Sequence, residues 1–183
     1  MTRTITLLFL LVFCSATARQ AQAPAPKPDP EVKKLHAWVG NWMFEGEFKA
    51  GLLGPAGKHT GEMACQMILG GFFLHCRFTD KGPAGEMHGL EIDGYDPVKK
   101  NFSSEIYLGG GGRFSGVLTI SGNTWTYAGE WAAAGKQYQL KDSYTFAPDL
   151  TTATQKAEIS TDGETWTPFG EEKWTKAKPP TKK

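Results

Sequence analysis

Three polar residues interrupt runs that are otherwise apolar on one strand face: His88, Asp142 and Gln155. A histidine and a carboxylate within hydrogen-bond reach can act as an acid–base pair. Inside a protein each such group costs about 1–3 kcal/mol if left unpaired. They must therefore pair with one another, stay hydrated or meet a ligand. No motif sets a nucleophile beside them, so an enzyme acting on a hydrophobic substrate through His88 and Asp142 is the lesser reading. A binding site for a small hydrophobic molecule is the leading one.

Cys65 and Cys76 are the other reactive pair. A tight turn at Gly70-Gly71 makes Leu69 face Phe72, and stepping outward from it brings Cys65 opposite Cys76. Counted from such a turn, the pair falls at a hydrogen-bonded position, where side chains stand further apart. A disulfide and two buried thiols are both open at this point. A zinc site is not expected, because one hairpin with two cysteines lacks the further ligands. The glycine run Gly109 to Gly112 lacks the GxxxxGK[ST] frame and no helical pattern follows it, so it reads as a hairpin loop rather than a phosphate cradle.

These residues need strands to hold them. Gly40 to Lys49 places Trp42, Phe44 and Phe48 on one side and Met43, Glu45 and Glu47 on the other, the period of a strand with one buried face. Ahead of it, Val32, Leu35, Trp38 and Val39 recur at near-helical spacing and predict a short helix. In the hairpin that follows, Cys65, Met67, Leu69, Phe72, Leu74, Cys76 and Phe78 share one apolar face. Gln66, Ile68, Phe73, His75 and Arg77 share the other. Ile68 and Phe73 on that outer face predict a homodimer contact or a cover supplied by the N-terminal helix. Met87 to Asp93 alternates again, and hydrophobicity predicts His88, Leu90 and Ile92 inward with Glu91 and Asp93 outward.

The later runs are Phe102 to Leu108, Arg113 to Ile120, Trp125 to Trp131, Tyr138 to Phe146, Ala153 to Ser160 and Thr165 to Thr175. About ten short strands with regularly spaced turns predict an all-β, closed antiparallel barrel. If Trp42 and Phe44 point inward, alternation predicts a pocket lined by Trp42, Phe44, Phe48, Leu74, Phe78, His88, Leu90, Trp125, Tyr127, Tyr138, Asp142, Tyr144 and Gln155. A barrel filled by its own side chains, acting structurally or through its surface, is the alternative.

Composition sets the outer bounds. The chain has 183 residues, enough for one domain with a sizeable core. Met1-Thr2-Arg3, the apolar run to Phe13 and Ala16-Thr17-Ala18 have the layout of a secretory signal peptide over residues 1–18. The run is too short for a transmembrane helix. Residues 19–30 form an Ala/Pro-rich spacer, residues 31–175 the barrel, and residues 176–183 a basic tail expected to be disordered. The protein is thus expected in the periplasm or medium, where disulfides persist. Lys and Arg number 20 against 19 acids. Removing residues 1–18 takes away Arg3 and no acid, leaving a neutral chain with no electrostatic footprint for nucleic acid.

Gly40-Asn41-Trp42 after a short helical lead-in resembles the G-x-W signature of the lipocalin and calycin superfamily. With Leu69-Gly70-Gly71-Phe72-Phe73-Leu74, Gly94-Tyr95-Asp96 and a Trp-rich closing strand, the chain from about Leu35 to Thr175 is similar to the bacterial family called domain of unknown function 1579. That resemblance implies a lipocalin-like barrel and no established activity. The nitrobindin-type haem barrels, relatives of that fold, hold iron through a histidine near the C-terminal end. The histidines here are His36, His59, His75 and His88, so that ligand maps onto nothing and no cofactor is expected. Lipocalins also place a late arginine across the strand-one tryptophan; here only Lys173 and Lys176 are available.

Overall fold

The computed structural model describes residues 25–51, 55–133 and 135–178. The signal-peptide segment, half of the spacer and the last residues of the tail lie outside them. A 3-10 helix, Pro30–Ala37, precedes ten strands: β1 (Gly40–Phe48), β2 (Gly57–Ile68), β3 (Phe73–Gly82), β4 (Gly85–Asp96), β5 (Asn101–Leu108), β6 (Arg113–Ser121), β7 (Thr124–Ala133), β8 (Lys136–Phe146), β9 (Thr152–Ser160) and β10 (Thr167–Lys176). Every strand pairs antiparallel with its sequence neighbours, and β1 closes on β10. This up-and-down closure leaves no free sheet edge.

The amphipathic lead-in is a 3-10 rather than an α-helix. Asp29 caps it by accepting from Glu31 N at 2.9 Å, Pro30 fixes its first turn, and Val32, Leu35 and Trp38 are buried. It closes the end of the barrel where β1 begins. Trp42 Nε1 donates to Trp38 O at 2.8 Å, tying plug to wall. Lys176, opposite Trp42 in the β1–β10 register, takes the place that lipocalins give to arginine. Its Nζ lies 5.2 Å from the Trp42 ring centroid and donates to Ala37 O at 3.1 Å, where a cation favours the helix C-terminus.

Above the plug, Trp38, Trp42, Trp125 and Phe146 interlock edge-to-face with centroids 4.9–6.4 Å apart, a preferred aromatic geometry. Leu74, Phe102, Phe114 and Leu118 complete this core.

Cys65 and Cys76 are joined as a disulfide. Their pairing follows the expected register, but the turn does not. Leu69 to Phe72 form a four-residue loop with Leu69, Gly70 and Gly71 at positive φ, so the ladder closes at Ile68–Phe73. Leu69, expected on the inner face, is 72% exposed in that loop. Moving the last rung by one residue also shifts the hydrogen-bond phase. The cysteine Cα atoms stand 4.1 Å apart, the close approach of a non-hydrogen-bonded pair. On the outer face the Phe73 ring lies across Gly94 of β4, a neighbouring-strand cover that leaves it 37% exposed.

Candidate functional site

Strand β4 is inverted relative to the hydrophobicity-based expectation. The tight turn from Gly82 to Gly85 pairs Cys76 with Glu91 and Leu74 with Asp93. Because Cys76 and Leu74 face inward, Glu91 and Asp93 face inward too, and His88, Leu90 and Ile92 lie outside. His88 is exposed, hydrogen-bonded to Thr79 Oγ1 at 3.2 Å and beside Glu86 at 3.1 Å. It does not meet Asp142, so the acid–base pair does not exist and the enzyme reading loses its basis. His88→Ala is accordingly expected to change stability by less than about 0.5 kcal/mol in urea titration. A loss of about 2 kcal/mol would place the residue inside.

Of the other expected pocket residues, Phe44, Phe48, Phe78, Asp142, Tyr144 and Gln155 line one cavity of about 350 Å³. Trp42, Leu74, Trp125 and Tyr127 belong to the packed core beneath it, and Tyr138 is buried in the wall. Met63, Ile106, Leu108, Trp131, Phe169 and Trp174 supply more of the apolar lining, with Pro55, Pro83 and Ala84 from the loops at the end opposite the helix plug. The cavity therefore opens at that end and is floored by Glu91, Asp142, Tyr144, Gln155, Glu172 and Trp174.

The floor is a hydrogen-bonded set. Gln155 Nε2 donates to Asp142 Oδ1 at 2.6 Å, Tyr144 OH to Asp142 Oδ2 at 3.1 Å, and Trp174 Nε1 to Glu172 at 2.6 Å. Below them Tyr127 OH donates to Asp93 Oδ2 at 3.3 Å. Burial pushes Asp142 up to about 7 despite the bonds from Gln155 and Tyr144, and Asp93 up to about 6. Burial and the neighbouring Asp93 carboxyl raise Glu91 well above the usual range. Burial and Asp142 do the same to Glu172. Each shift has one sign, because a low-dielectric site disfavours the charged form.

His59 is the interior histidine. Fully buried, it stacks under Phe48 at 3.8 Å, with Nδ1 3.1 Å from Asp80 and Nε2 3.6 Å from Glu172. Gly46 makes room for it: a Cβ there would stand 2.8 Å from His59 Nε2 and 2.8 Å from the Glu172 side chain. His59, Asp80, Glu91, Asp93 and Glu172 escape the hydrophobicity-based reading of the sequence. Parity would have found three of them. With Cys65 inward, Met63, Gly61 and His59 follow on β2; with Phe78 inward, Asp80 follows on β3; with Trp174 inward, Glu172 follows on β10. A register shift between Pro168 and Gly170 explains why Phe169 and Trp174 both reach the cavity from positions of opposite parity.

A closed antiparallel barrel, plugged at one end and open at the other, defines the class: an all-β, lipocalin-like barrel. The chain belongs to the family described as "Protein of unknown function (DUF1579)", which it matches over residues 27–176. No curated protein matches it. Among solved structures it is similar to Rv2717c from M. tuberculosis, at 12% identity and a TM-score of 0.61, over 83% of this chain and 100% of that one. It is also similar to the S-type phycobiliprotein lyase CPES from Guillardia theta, at 7% identity and a TM-score of 0.52, over 80% of this chain and 92% of that one. At such identities the likeness is one of fold.

Proposed function

We propose that the protein is an exported carrier or sensor of a small, largely apolar molecule held inside the barrel. The observation that carries this reading is the open cavity of about 350 Å³, a volume within the range of small-molecule sites. Its apolar walls and few buried polar groups fit the same pattern. A barrel serving only as a structural module gains nothing from burying carboxyls whose ionisation its own packing opposes. Export is supported by the leader-like residues 1–18 and by the Cys65–Cys76 disulfide, which suits an oxidising compartment. Among the described residues no helix is long and apolar enough to cross a membrane.

Trp131 and Trp174 line the cavity, so tryptophan emission reports occupancy. Titration with lipids, tetrapyrroles and aromatic compounds is expected to shift it saturably for at least one class, and native mass spectrometry of protein from its own host is expected to show a copurified small molecule. Ile106→Trp, which fills the cavity from its wall, is expected to abolish the shift. No shift across the panel and no copurified mass would sink the proposal.

A further inference from the structure

We infer that the ligand is a hydrophobic amine, its nitrogen seated on the floor of the cavity between Asp142, Gln155 and Glu172. This rests on the reading of the cavity as a binding site and adds the chemistry of what binds there.

The first ground is which hydrogen-bonding positions remain open. The recorded side-chain bonds of the floor all run to its carboxyls: Gln155 Nε2 and Tyr144 OH both serve Asp142, and Trp174 Nε1 serves Glu172. Gln155 is 5% exposed, and its Oε1 is buried without a partner while the residue lines the cavity. An amide oxygen can only accept. That oxygen therefore asks for a donor. Among the described lining residues, the buried indole donor without a partner, Trp131 Nε1, belongs to a different level. Asp142 pairs with Tyr127 on β7, and Trp131 lies further along that strand toward the mouth.

The second ground is charge. Glu91, Asp142 and Glu172 share the floor, Asp93 lies beneath, and Asp80 sits at the wall. Among the described interior residues the basic group that meets any of them is His59, and it already lies between Asp80 and Glu172. Lys49 lines the cavity from an exposed position just past β1 at the mouth, and Lys176 is at the plugged end, on Trp42 and Ala37. A ligand anion would add to this acidic field. An ammonium would relieve it and restore the carboxylate form that burial opposes.

The third ground is the wall beside the carboxyls. Phe44 and Trp174 stack at 4.3 Å, and Tyr144 meets Trp174 edge-on at 5.6 Å. Aromatic faces next to carboxylates attract a cation through their quadrupoles.

The test uses three probes of one shape: naphthalene bearing an aminomethyl, a hydroxymethyl or a carboxylate group. Each is titrated into the mature protein at pH 8 and followed by tryptophan emission and calorimetry. The amine is expected to bind at least about tenfold more tightly than the alcohol, and the carboxylate least. If the alcohol or the carboxylate binds as well as the amine, the inference falls and the cavity reading stands. If none of the three binds, and the broad panel is silent too, both fall. In Asp142→Asn and in Glu172→Gln the ratio of amine to alcohol affinity is expected to collapse toward one. An undiminished ratio in both variants, with native near-ultraviolet dichroism retained, overturns the assignment of the nitrogen to this floor.

Discussion

At pH 8 the Asp142→Asn protein should be more stable than the parent by about 2–4 kcal/mol. Asp142 ionises near 7 in the fold and near 3.9 in an unfolded chain. Between about pH 4 and pH 7 the unfolded state therefore gives up its proton first. Fewer protons bound in the unfolded state mean that stability falls as pH rises, and above about 7 the whole penalty is present. Asparagine keeps the geometry: its carbonyl accepts from Gln155 Nε2, and its amide can donate to the Tyr144 hydroxyl. It removes only the ionisation.

Asp93, raised to about 6, slopes the same way, as do Glu91 and Glu172. Asp96, Asp149 and Asp162 are shifted down by hydrogen bonds, so their contribution is lost only in acid, below about pH 4. Urea titrations at pH 4.5, 6 and 8 are expected to show the parent losing stability with rising pH and the variant following a shallower slope. A parent that gains stability toward pH 8, or a variant weaker than it there, would contradict the buried, proton-holding state of Asp142.

The contrast between Asp142 and His88 shows how far the sequence could be read. Closure, strand number and most inward positions were legible because alternation and turn residues agree along most strands. β4 was not, because its apolar residues face outward and its carboxyls inward. Local hydrophobicity ranks the faces of a strand, but pairing decides which one is inside. The Gly82–Gly85 turn carried that information, since a short turn transmits register from β3. The loop from Lys49 to Ala56 is too long to transmit it, so His59 was reachable only by parity from Cys65. The residues that defied the pattern, Glu91, Asp93 and Glu172, form the acidic floor and its underside. Departures from local rules gather where a fold gives up stability for a site.

The site also depends on its plug. Trp38, 2% exposed, touches the rings of Trp42, Trp125, Tyr144, Phe146 and Trp174 at centroid distances of 4.9–6.4 Å. A void of about 30 Å³ is lined by Trp38 together with Glu91, Tyr127, Asp142 and Tyr144. Trp38→Ala is expected to cost about 3–5 kcal/mol, the range for deleting a large buried aromatic. It also withdraws the support under Tyr144, which holds Asp142, so amine affinity should fall with stability. The backbone acceptor for Trp42 Nε1 survives this substitution, so the loss reports packing alone. Trp38→Phe separates volume from polarity. The Trp38 Nε1 donor is buried without a partner, and phenylalanine removes that unsatisfied group while leaving a smaller gap. Its cost should be less than half that of alanine. Denaturation midpoints of the two variants beside the parent decide the matter. An alanine variant within about 1 kcal/mol of the parent would mean that the barrel wall, and not the helix plug, holds up the acidic floor.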